Sequence, residues 1–509
     1  KTSRITFEEI NTREGMVTFF INREDFEALE HQVLTLLGHE TYINTETLEN
    51  RLCDVTEGYF KSRTIPRALE NLIKRSPPVL NTKSDLLPVS RERYPVDEEY
   101  LDAIIDVIDS MHSTCICIQG PPGTGKTFTA KHVISFLVRK GKRVGVMSNS
   151  HAAIMNLLVP VTKNLPGHNL VKIGGFATSS EFKSRFPIRD YPKFFYRPSM
   201  RFTKKQPYKS FSVVGATAYG FAKEDLSDEP LDYLFVDEAS QVALANLVSV
   251  SQGAKNIVLL GDQMQLEQPV QGVHPGEAGM SALDYFLKDF SVIPDNIGIF
   301  LERTYRMHPD VCKPLSDVVY EGRLSTHPAN QNQTVVVEKS HYITRRSGIL
   351  FVPVDHEDDA QSSEAEVAVV EAIVNELKTG IFIDCDQQKK SITADDILII
   401  APYNMQVNLI KEKLANNSRV GTIDKFQGQE APIVIISMAV CAVEDSPRGM
   451  DFVFDIKRLN VAVSRAKSLA IIVANKNLEH CKVKSLNQME KVSFFCSLKE
   501  NNTYGQSKS

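Results

Sequence analysis

A glycine-rich segment carries the clearest chemistry in the chain. The run GPPGTGKT at residues 120–127, here called the P-loop, directly follows the apolar run CICIQ. Its glycines permit a loop whose backbone N–H groups face phosphate oxygens, and the helix predicted to begin near Lys126 adds a positive N-terminal dipole. Lys126 is expected to neutralise the β- and γ-phosphates, while the Thr127 hydroxyl ligates Mg²⁺. The predicted phosphate-binding residues are Gly120, Pro121, Pro122, Gly123, Thr124, Gly125, Lys126 and Thr127.

Two adjacent carboxylates end a second apolar run, LDYLFVDEAS. At the carboxyl end of a parallel strand they would lie where such sheets bind ligands. Asp237 is expected to hold Mg²⁺ and Glu238 to accept a proton from the attacking water. A third run, NIVLLGD, leads to Gln265, which could sense the γ-phosphate or could belong to a solvated turn. The combination predicts hydrolysis of a nucleoside triphosphate, with ATP and Mg²⁺ bound.

The elements that must position these residues follow a strand–helix alternation. Apolar runs separated by helical segments predict an α/β fold with buried parallel sheets covered by helices. A second set of apolar runs predicts a second sheet, so two lobes in series are expected. The strand candidates are 114–119, 143–148, 211–215, 233–236 and 256–260, then IGIFL, DILIIAP, PIVIISM and LAIIVA.

Four regions follow from this pattern. The amino-terminal part contains two strand-like runs, RITFEEI and GMVTFFIN, joined near Arg13–Gly15, and two helical ones, REDFEALEHQVLTLLG and TIPRALENLIKRS. The predicted regions are an accessory β/α region at 1–95, a first lobe at 96–295 with an insertion at about 160–210, a second lobe at 296–500 and a disordered polar tail at 501–509.

Composition narrows the function classes. The 509 residues carry a net charge of −5, so contact with nucleic acid must come from a local patch. The eight cysteines are scattered without a C-x-x-C pair, which argues against a zinc or iron–sulfur site and favours a reducing cytoplasm. We find no stretch of 18 consecutive apolar residues and no signal peptide, so no membrane association is expected.

A local basic patch is present between Lys172 and Lys209. The segment has ten Lys and Arg residues against only Glu181 and Asp190, and aromatic residues interleave them. A positive groove with stacking rings is what a sequence-tolerant single-strand binder needs, and Lys204 and Lys205 are its central candidates. The alternative is a solvated loop whose aromatic rings pin it to the core.

Six segments together resemble one family. They are GPPGTGKT, FVDEAS, GDQMQLEQP, TYRMHP at 304–309, GTIDKFQGQE at 421–430 and RLNVAVSRAK at 458–467. In this order they resemble the 5′→3′ branch of the superfamily 1 helicases, which contains the nonsense-mediated-decay RNA helicase and the replication nuclease-helicase. The resemblance implies two tandem RecA-like lobes with the nucleotide site between them.

The resemblance also assigns roles to residues outside the P-loop. Arg306 and Arg465 look like the two arginines that reach the γ-phosphate from the second lobe, an effect worth ~10³–10⁵ in rate for arginine fingers. Tyr305 is a candidate for stacking on adenine, although a buried core tyrosine is a competing interpretation. A buried nucleotide site shared by two lobes would convert hydrolysis into motion.

Further residues are implied on the nucleic-acid side. Gln427, Gly428 and Glu430 resemble the family's coupling segment, which touches both the nucleotide and the strand. Ser150 and Thr217 fall in the family's strand-contacting segments, where hydroxyls bind phosphates without reading sequence.

One position departs from the family pattern. Relatives carry a Gln upstream of the P-loop that reads the adenine edge, whereas the aligned residue here is Tyr100, and no Gln lies between residues 96 and 118. A phenol cannot make the paired donor and acceptor bonds of an amide. Other nucleoside triphosphates are therefore expected as substrates, unless another group near Val96–Glu99 reads the base.

The sequence thus predicts an ATP-dependent helicase or translocase moving 5′→3′ on single-stranded nucleic acid, with DNA favoured. An RNA helicase with the same motor is the first alternative, and a nucleotide-gated clamp without unwinding is the second. The motif spacing also resembles bacterial relatives fused to a RecB-like nuclease, so a nuclease module or partner is expected beside a monomeric motor. No carboxylate cluster before Gly120 predicts nuclease activity in this chain.

Overall fold

The structure is a computed structural model. It describes residues 5–11, 16–21, 45–81, 86–175, 191–199, 202, 207–223, 226, 229–268, 274–288, 290–357, 360–414, 419–426, 428–441 and 448–500. The predicted turn at 13–15, the predicted helix at 23–38 and the tail at 501–509 lie outside these residues.

The chain divides into two units, Lys1–Thr45 and Glu46–Ser509. In the first, strands β1 (Ile5–Asn11) and β2 (Met16–Ile21) pair antiparallel, with an irregularity between Phe7 and Glu9. The two predicted amino-terminal strands are therefore confirmed.

Within the described residues, the second unit contains one large parallel sheet of order β10-β3-β9-β8-β4-β7-β5-β6. Its central strands are unbroken apolar runs because helices cover both faces. Cys115 and Cys117, two residues apart and therefore on the same face of β3, are both buried. The strands are β3 (Cys115–Gln119), β4 (Val144–Met147), β5 (Leu170–Ile173), β6 (Phe194–Arg197), β7 (Val213–Ala216), β8 (Leu231–Val236), β9 (Ala254–Gly261) and β10 (Gly298–Phe300).

A second parallel sheet, of order β14-β20-β19-β17-β18 in the described residues, follows in the chain. A small antiparallel sheet and a two-stranded pair lie beside it. These strands are β11 (Arg303–Thr304), β12 (Ser325–Thr326), β13 (Thr334–Val336), β14 (Gly348–Val354), β15 (Ile381–Ile383), β16 (Lys389–Ser391), β17 (Ile397–Ile400), β18 (Arg419–Gly421), β19 (Ala431–Ser437) and β20 (Ala466–Asn475).

Helices connect and cover the strands, and no described helix is long and apolar enough to cross a membrane. In chain order they are α1 (Glu46–Ser62), α2 (Arg67–Lys74), α3 (Asp97–Asp109), α4 (Lys126–Arg139), α5 (His151–Asn164), α6 (Ala218–Ala222), α7 (Leu244–Val250), α8 (Ala282–Leu287), α9 (Pro309–Val319), α10 (Glu364–Leu377), α11 (Asn404–Leu414), α12 (Met450–Val453), α13 (Ile456–Val463) and α14 (Leu486–Lys499).

The predicted α/β fold with two parallel sheets is confirmed, but one strand was placed in the wrong sheet. IGIFL was expected to open the second sheet, whereas β10 pairs with β3 and completes the first. Strands β5, β6, β14 and β18 of these two sheets were not predicted. The first two are short and partly polar, so their sequence carries no clear apolar run.

The two sheets are joined through a shared apolar core. One continuous cluster of buried side chains contains Val236 of β8 and Phe351 of β14. Helix α9 packs against β14 and β20 and contributes Val311 and Leu315 to that cluster. The chain segments that run between the two sheets therefore pack in an apolar core that both sheets share.

Candidate active site

The P-loop follows β3 and leads into α4 as predicted. Gly123 and Gly125 adopt left-handed φ angles of 77° and 83°, which glycine tolerates without a Cβ penalty. The Lys126 ammonium donates to the carbonyl oxygens of Gly120 and Pro121. Burial lowers the pKa of Lys126, and the carboxylates of Asp262 and Asp237 oppose that shift. The loop therefore presents a partly buried cation near carboxylates.

The TYRMHP segment lies directly on the P-loop. Thr304 Oγ1 donates to the Pro122 carbonyl at 2.9 Å, and the Tyr305 N–H donates to the Gly123 carbonyl at 2.9 Å. A Cβ on Gly123 would lie 2.5 Å from Arg306 Cβ, so only glycine permits this approach. Arg306 is thereby fixed beside the phosphate-binding loop, although the two segments are far apart in the chain.

Asp237 and Glu238 follow β8 on the same edge of the sheet. Glu238 has a left-handed backbone (φ 53°, ψ 46°), a strained conformation for a non-glycine residue that is typical of functional sites. Its N–H donates to Asp237 Oδ1 at 3.0 Å. Burial raises the pKa of Asp237 to about 6, against the opposing effects of the Glu238 N–H and the Lys126 ammonium.

Gln265 lies beside Asp262, which follows β9. Its Nε2 donates to Asp262 Oδ2 at 3.0 Å, so the amide is ordered rather than solvated. Asp262 is 1% exposed. Gln265 also lines the cavity described below. This placement supports the γ-phosphate sensor interpretation over the solvated turn.

Arg306 and Arg465 approach the site together from the segments associated with the second sheet. Arg306 Nε pairs with Glu430 Oε2 at 2.6 Å, and its Nη1 donates to the Ser464 carbonyl at 3.1 Å. Arg465 is 6% exposed, and its Nη1 donates to the Gln429 carbonyl at 3.2 Å. Burial, and then the like charge of Arg306, lowers the pKa of Arg465 to about 10. Two close cations favour an anion between them.

Glu430 balances part of this positive charge. It pairs with Lys467 at 2.8 Å as well as with Arg306. Although burial alone raises the pKa of Glu430, Arg306 and Lys467 hold that pKa below its usual value. Gly428 has a left-handed φ of 74°, and Gln427 lies outside the described residues. The predicted coupling segment is thus tied to an arginine by an ion pair.

One cavity of about 750 Å³ brings most of the predicted nucleotide-site residues together. Gly120 and Pro121, at the start of the P-loop, are the two predicted phosphate-binding residues outside its lining. Asn156 on α5, Gln241 and Gln429 were missed. Only Gln429, inside KFQGQE, carried a sequence signal. The predicted residues that line the cavity are Pro122, Gly123, Thr124, Gly125, Lys126, Thr127, Asp237, Glu238, Gln265, Tyr305, Arg306, Gly428, Glu430 and Arg465.

The cavity suits a phosphate-bound Mg²⁺. The Thr127 hydroxyl and the Asp237 carboxylate line it together, and Mg²⁺ prefers one or two such oxygen ligands with water and phosphate. In the described residues, no group of three His, Cys, Asp or Glu side chains could hold a metal ion. Binding of Mg²⁺ through a hydroxyl, one carboxylate, water and phosphate does not need such a group. The raised pKa of Asp237 also identifies a buried carboxylate that a cation would stabilise in its charged form.

A smaller cavity of about 360 Å³ adjoins the P-loop. Its apolar walls include Leu101, Ile104 and Phe128, and Tyr305 stands at its edge with 43% of its surface exposed. Because Tyr305 is not buried in the core, the ring is available to stack on a base. The size and the position beside the phosphate-binding loop suit a nucleoside.

Tyr100 lines this cavity but cannot read a base with its hydroxyl. The Tyr100 O–H donates to the Phe300 carbonyl at 2.8 Å, and the Arg91 guanidinium lies 4.0 Å from the ring centroid. Asp97, within the segment that could replace the missing Gln, also lines the cavity and pairs with Arg91 and Arg303. The base edge would therefore meet a charged cluster rather than an amide.

This arrangement predicts weak base selectivity. We expect GTP and CTP to be hydrolysed with a kcat/KM within ~100-fold of that for ATP, because shape and stacking discriminate by only ~10–200-fold. Comparing kcat/KM for the four nucleoside triphosphates checks this. A preference for ATP beyond ~10⁴-fold would contradict it. Asp97→Ala would then show whether Asp97 reads the adenine.

Ser150 and Thr217 lie further along the same sheet edge, after the neighbouring strands β4 and β7. Each hydroxyl caps a helix: Ser150 Oγ accepts from the Ala153 N–H and Thr217 Oγ1 from the Gly220 N–H. Helix N-termini are suited to phosphate binding. These residues remain predictions for strand contact, with a cap as their observed role.

The basic and aromatic segment between Lys172 and Lys209 differs from the prediction where it is described. Lys172 is fully buried and donates to the carbonyls of Ile173 and Gly174, so it is not a surface cation. Phe195 and Phe202 pack against Phe211 at ring-centroid distances of 5.5 and 5.6 Å. These rings pin the segment to the core, which was the alternative interpretation. Lys204 and Lys205 lie outside the described residues.

Comparisons with known proteins agree with the six motifs. Two family models, each described as an AAA domain, match residues 104–270 and 282–477. The DNA replication ATP-dependent helicase/nuclease JHS1 of Arabidopsis thaliana is 26% identical over 378 residues, covering 70% of this chain and 27% of that protein. The Regulator of nonsense transcripts 1 homolog of Drosophila melanogaster is 28% identical over 399 residues, covering 70% and 33%.

The chain spans about a quarter to a third of the length of these two relatives. Among solved structures, the arterivirus nonstructural protein 10 (helicase) with DNA aligns with a TM-score of 0.38 at 16% identity, covering 72% of this chain and 61% of that one. The fold assignment rests on the two parallel sheets rather than on that alignment. From the six ordered motifs, the two family matches and these relatives, the chain belongs to the superfamily 1 helicases, in the branch of the nonsense-transcript regulators and the replication helicase/nucleases.

Proposed function

We propose that this chain is an ATP-dependent helicase or translocase that moves 5′→3′ along single-stranded nucleic acid. The observation that carries the proposal is the shared lining of one cavity. Lys126 and Glu238 reach it from the first sheet, and Arg465 reaches it from the end of α13 beside the second sheet. The nucleotide site is complete only when groups from both sheets contact the bound nucleotide. Hydrolysis and product release would therefore change the relative position of the two lobes.

Each residue has a proposed part in hydrolysis. Lys126 and the P-loop N–H groups bind and orient the phosphates. Glu238 accepts the proton of the attacking water, and Gln265 orients that water. Arg306 and Arg465 neutralise the charge that spreads over the transferring phosphoryl group. Bound Mg²⁺, held by Thr127 and Asp237, would neutralise the β- and γ-phosphate oxygens.

The same edge of the first sheet connects this chemistry to the strand. The P-loop, Asp262, Asp237, Ser150 and Thr217 follow strands that are consecutive neighbours in the sheet. Closing and opening of the lobes would therefore change the distance between strand contacts on the two lobes, which produces translocation.

DNA is the proposed substrate, in line with the relatives named as DNA replication helicase/nucleases. Relatives named as regulators of nonsense transcripts make RNA the competing substrate. A few contacts to the 2′-hydroxyl suffice for that choice. The 5′→3′ direction is carried over from the family branch.

The proposal also covers the oligomeric state, the partner and the cellular compartment. We propose a monomeric motor that works beside a nuclease module or a partner nuclease. All eight cysteines are free, which supports a reducing compartment such as the cytoplasm.

ATPase rates measured with single-stranded DNA, single-stranded RNA, duplex DNA and no nucleic acid test the proposal. We expect single-stranded DNA to stimulate kcat most strongly, because strand contacts favour the closed cavity. Lys126→Ala, which removes the phosphate counter-charge, is expected to hydrolyse no ATP under any condition. Stimulation by RNA alone would assign RNA as the substrate. An ATPase rate that no nucleic acid changes would refute the motor.

A further inference from the structure

A buried set of hydrogen bonds links the nucleotide site to α13, the helix that precedes Arg465. It begins at Asp262, whose carboxylate is the charge that most strongly opposes the lowering of the Lys126 pKa by burial. Asp262 Oδ1 accepts from the Met264 N–H at 3.2 Å, and Oδ2 accepts from Gln265 Nε2 at 3.0 Å and from the Tyr320 hydroxyl at 2.8 Å. Tyr320 is thus bonded to a carboxylate beside the phosphate-binding lysine.

Tyr320 lies directly after α9 and is fully buried. Its ring packs against Phe300, with centroids 6.2 Å apart. Burial raises the pKa of Tyr320 well above its usual value, so the phenol keeps its proton. The single hydroxyl donates to Asp262 and accepts from Asn460 Nδ2 at 2.8 Å. The hydroxyl therefore acts as a donor to one part of the molecule and as an acceptor from another.

Asn460 belongs to α13 and is also fully buried. Its Nδ2 donates to the Met264 carbonyl at 2.8 Å as well as to Tyr320. Helix α13 ends at Val463, Ser464 caps it, and Arg465 follows. A shift of Asn460 together with α13 would therefore move the backbone of Arg465, whose side chain lines the phosphate cavity.

The hydrogen bonds join the first sheet to α13 by two routes, one through the Tyr320 hydroxyl and one directly from Asn460 to the Met264 carbonyl, and Tyr320 lies in largely apolar surroundings. Hydrogen bonds in such low-dielectric surroundings are stronger than in water, and breaking one leaves a buried polar group unpaired. Asp262 lines the phosphate cavity together with Lys126, so a displacement of Asp262 by bound phosphates would be transmitted to the Tyr320–Asn460 bond.

We propose that Tyr320 is a positioning residue that couples the occupancy of the phosphate cavity to the placement of Arg465. This inference deepens the proposed function and rests on it. Tyr320 does not line the phosphate cavity. Its role is to make hydrolysis depend on the correct relative position of the two sheets.

Tyr320→Phe tests this role, because it keeps the ring and removes only the hydroxyl. We expect the kcat of nucleic-acid-stimulated ATP hydrolysis to fall ~10-fold or more, the size of effect for losing a hydrogen bond to a charged group. The KM for ATP is expected to stay within ~3-fold, because the phosphate-binding groups are untouched. Steady-state kinetics with saturating single-stranded DNA measure both.

Tyr233→Phe is the matched control. Tyr233 is also a buried tyrosine, and its hydroxyl donates to the Ile108 carbonyl at 3.0 Å in the first-lobe core. The Tyr233→Phe variant loses a buried hydrogen bond that is not part of the Asp262–Tyr320–Asn460 link. It is expected to keep the wild-type kcat. If the two variants have the same kcat, the inference is wrong. A wild-type chain without ATP hydrolysis would instead refute the proposed function, and the inference with it.

Asn460→Ala removes the same link from the other side and keeps the test valid if Tyr320→Phe does not fold. In a double-mutant cycle, Tyr320→Phe should add little to the kcat loss of Asn460→Ala, because both break one chain. Fully additive losses would overturn the inference. Thermal unfolding of each variant separates loss of kcat from loss of fold.

Discussion

Glu238→Gln is expected to lower the kcat for ATP hydrolysis by ~10²–10⁴-fold, the usual contribution of a general base. The amide keeps the size and position of the carboxylate but cannot accept a proton from water. ATP binding is expected to persist, because Lys126 and the P-loop remain intact. A rapid-quench measurement of hydrolysis combined with binding of a fluorescent ATP analogue checks both parts.

Glu321→Gln is a suitable control for this substitution. Glu321 shares the left-handed backbone of Glu238, with the same φ of 53°, but it is exposed and does not line the phosphate cavity. The control separates the chemistry of the carboxylate from any effect of changing a strained glutamate. Wild-type turnover by Glu238→Gln would show that Glu238 is not the base.

Arg465→Ala is the second substitution with a large expected effect. We expect kcat to fall ~10²-fold or more, since the guanidinium stabilises charge that develops only in the transition state. ADP affinity is expected to change less, because ADP lacks the γ-phosphate that Arg465 would contact. Steady-state kinetics and ADP titration by calorimetry measure the two effects.

Arg458→Ala provides the control, on α13, the helix that precedes Arg465. Arg458 points to Asp424 and to the ring of Phe452, away from the phosphate cavity, and is expected to leave kcat nearly unchanged. Arg306→Ala should resemble Arg465→Ala, with an added effect on Glu430, its ion-pair partner. Equal losses of ADP affinity and kcat in Arg465→Ala would mean that this arginine serves ground-state binding.

The nucleotide site could be predicted from sequence because its parts are local. The P-loop needs glycines, a lysine and a threonine within eight residues, and Asp237 and Glu238 end an apolar strand. In such segments the residue types, the adjacent strand and the chemistry all lie within one short window. The structure places these segments in one cavity, as the motif order implied.

Pairings between distant segments could not be predicted. Strands of a parallel sheet are uniformly apolar, so nothing in IGIFL distinguishes the first sheet from the second. The contact of Arg306 with Glu430 and the contact of Tyr320 with Asn460 join residues more than 120 positions apart. No periodicity or spacing rule encodes such contacts.

Charge counting along the sequence failed for a similar reason. Lys172 was counted with a basic surface, but its β5 position places it in the interior, where His151 and two carbonyls surround its ammonium. Burial lowers the pKa of Lys172 to about 8 and that of His151 to about 4. A residue type predicts exposure only when its element and face are known.

Strand displacement from tailed duplexes tests the central claim most directly. The chain is incubated with ATP, Mg²⁺ and a DNA duplex that carries a single-stranded tail at either the 5′ or the 3′ end, with Lys126→Ala as the control. We predict ATP-dependent displacement from the 5′-tailed duplex and none from the 3′-tailed duplex or with the variant. ATP hydrolysis without displacement from either duplex would contradict the account and favour a nucleotide-gated clamp.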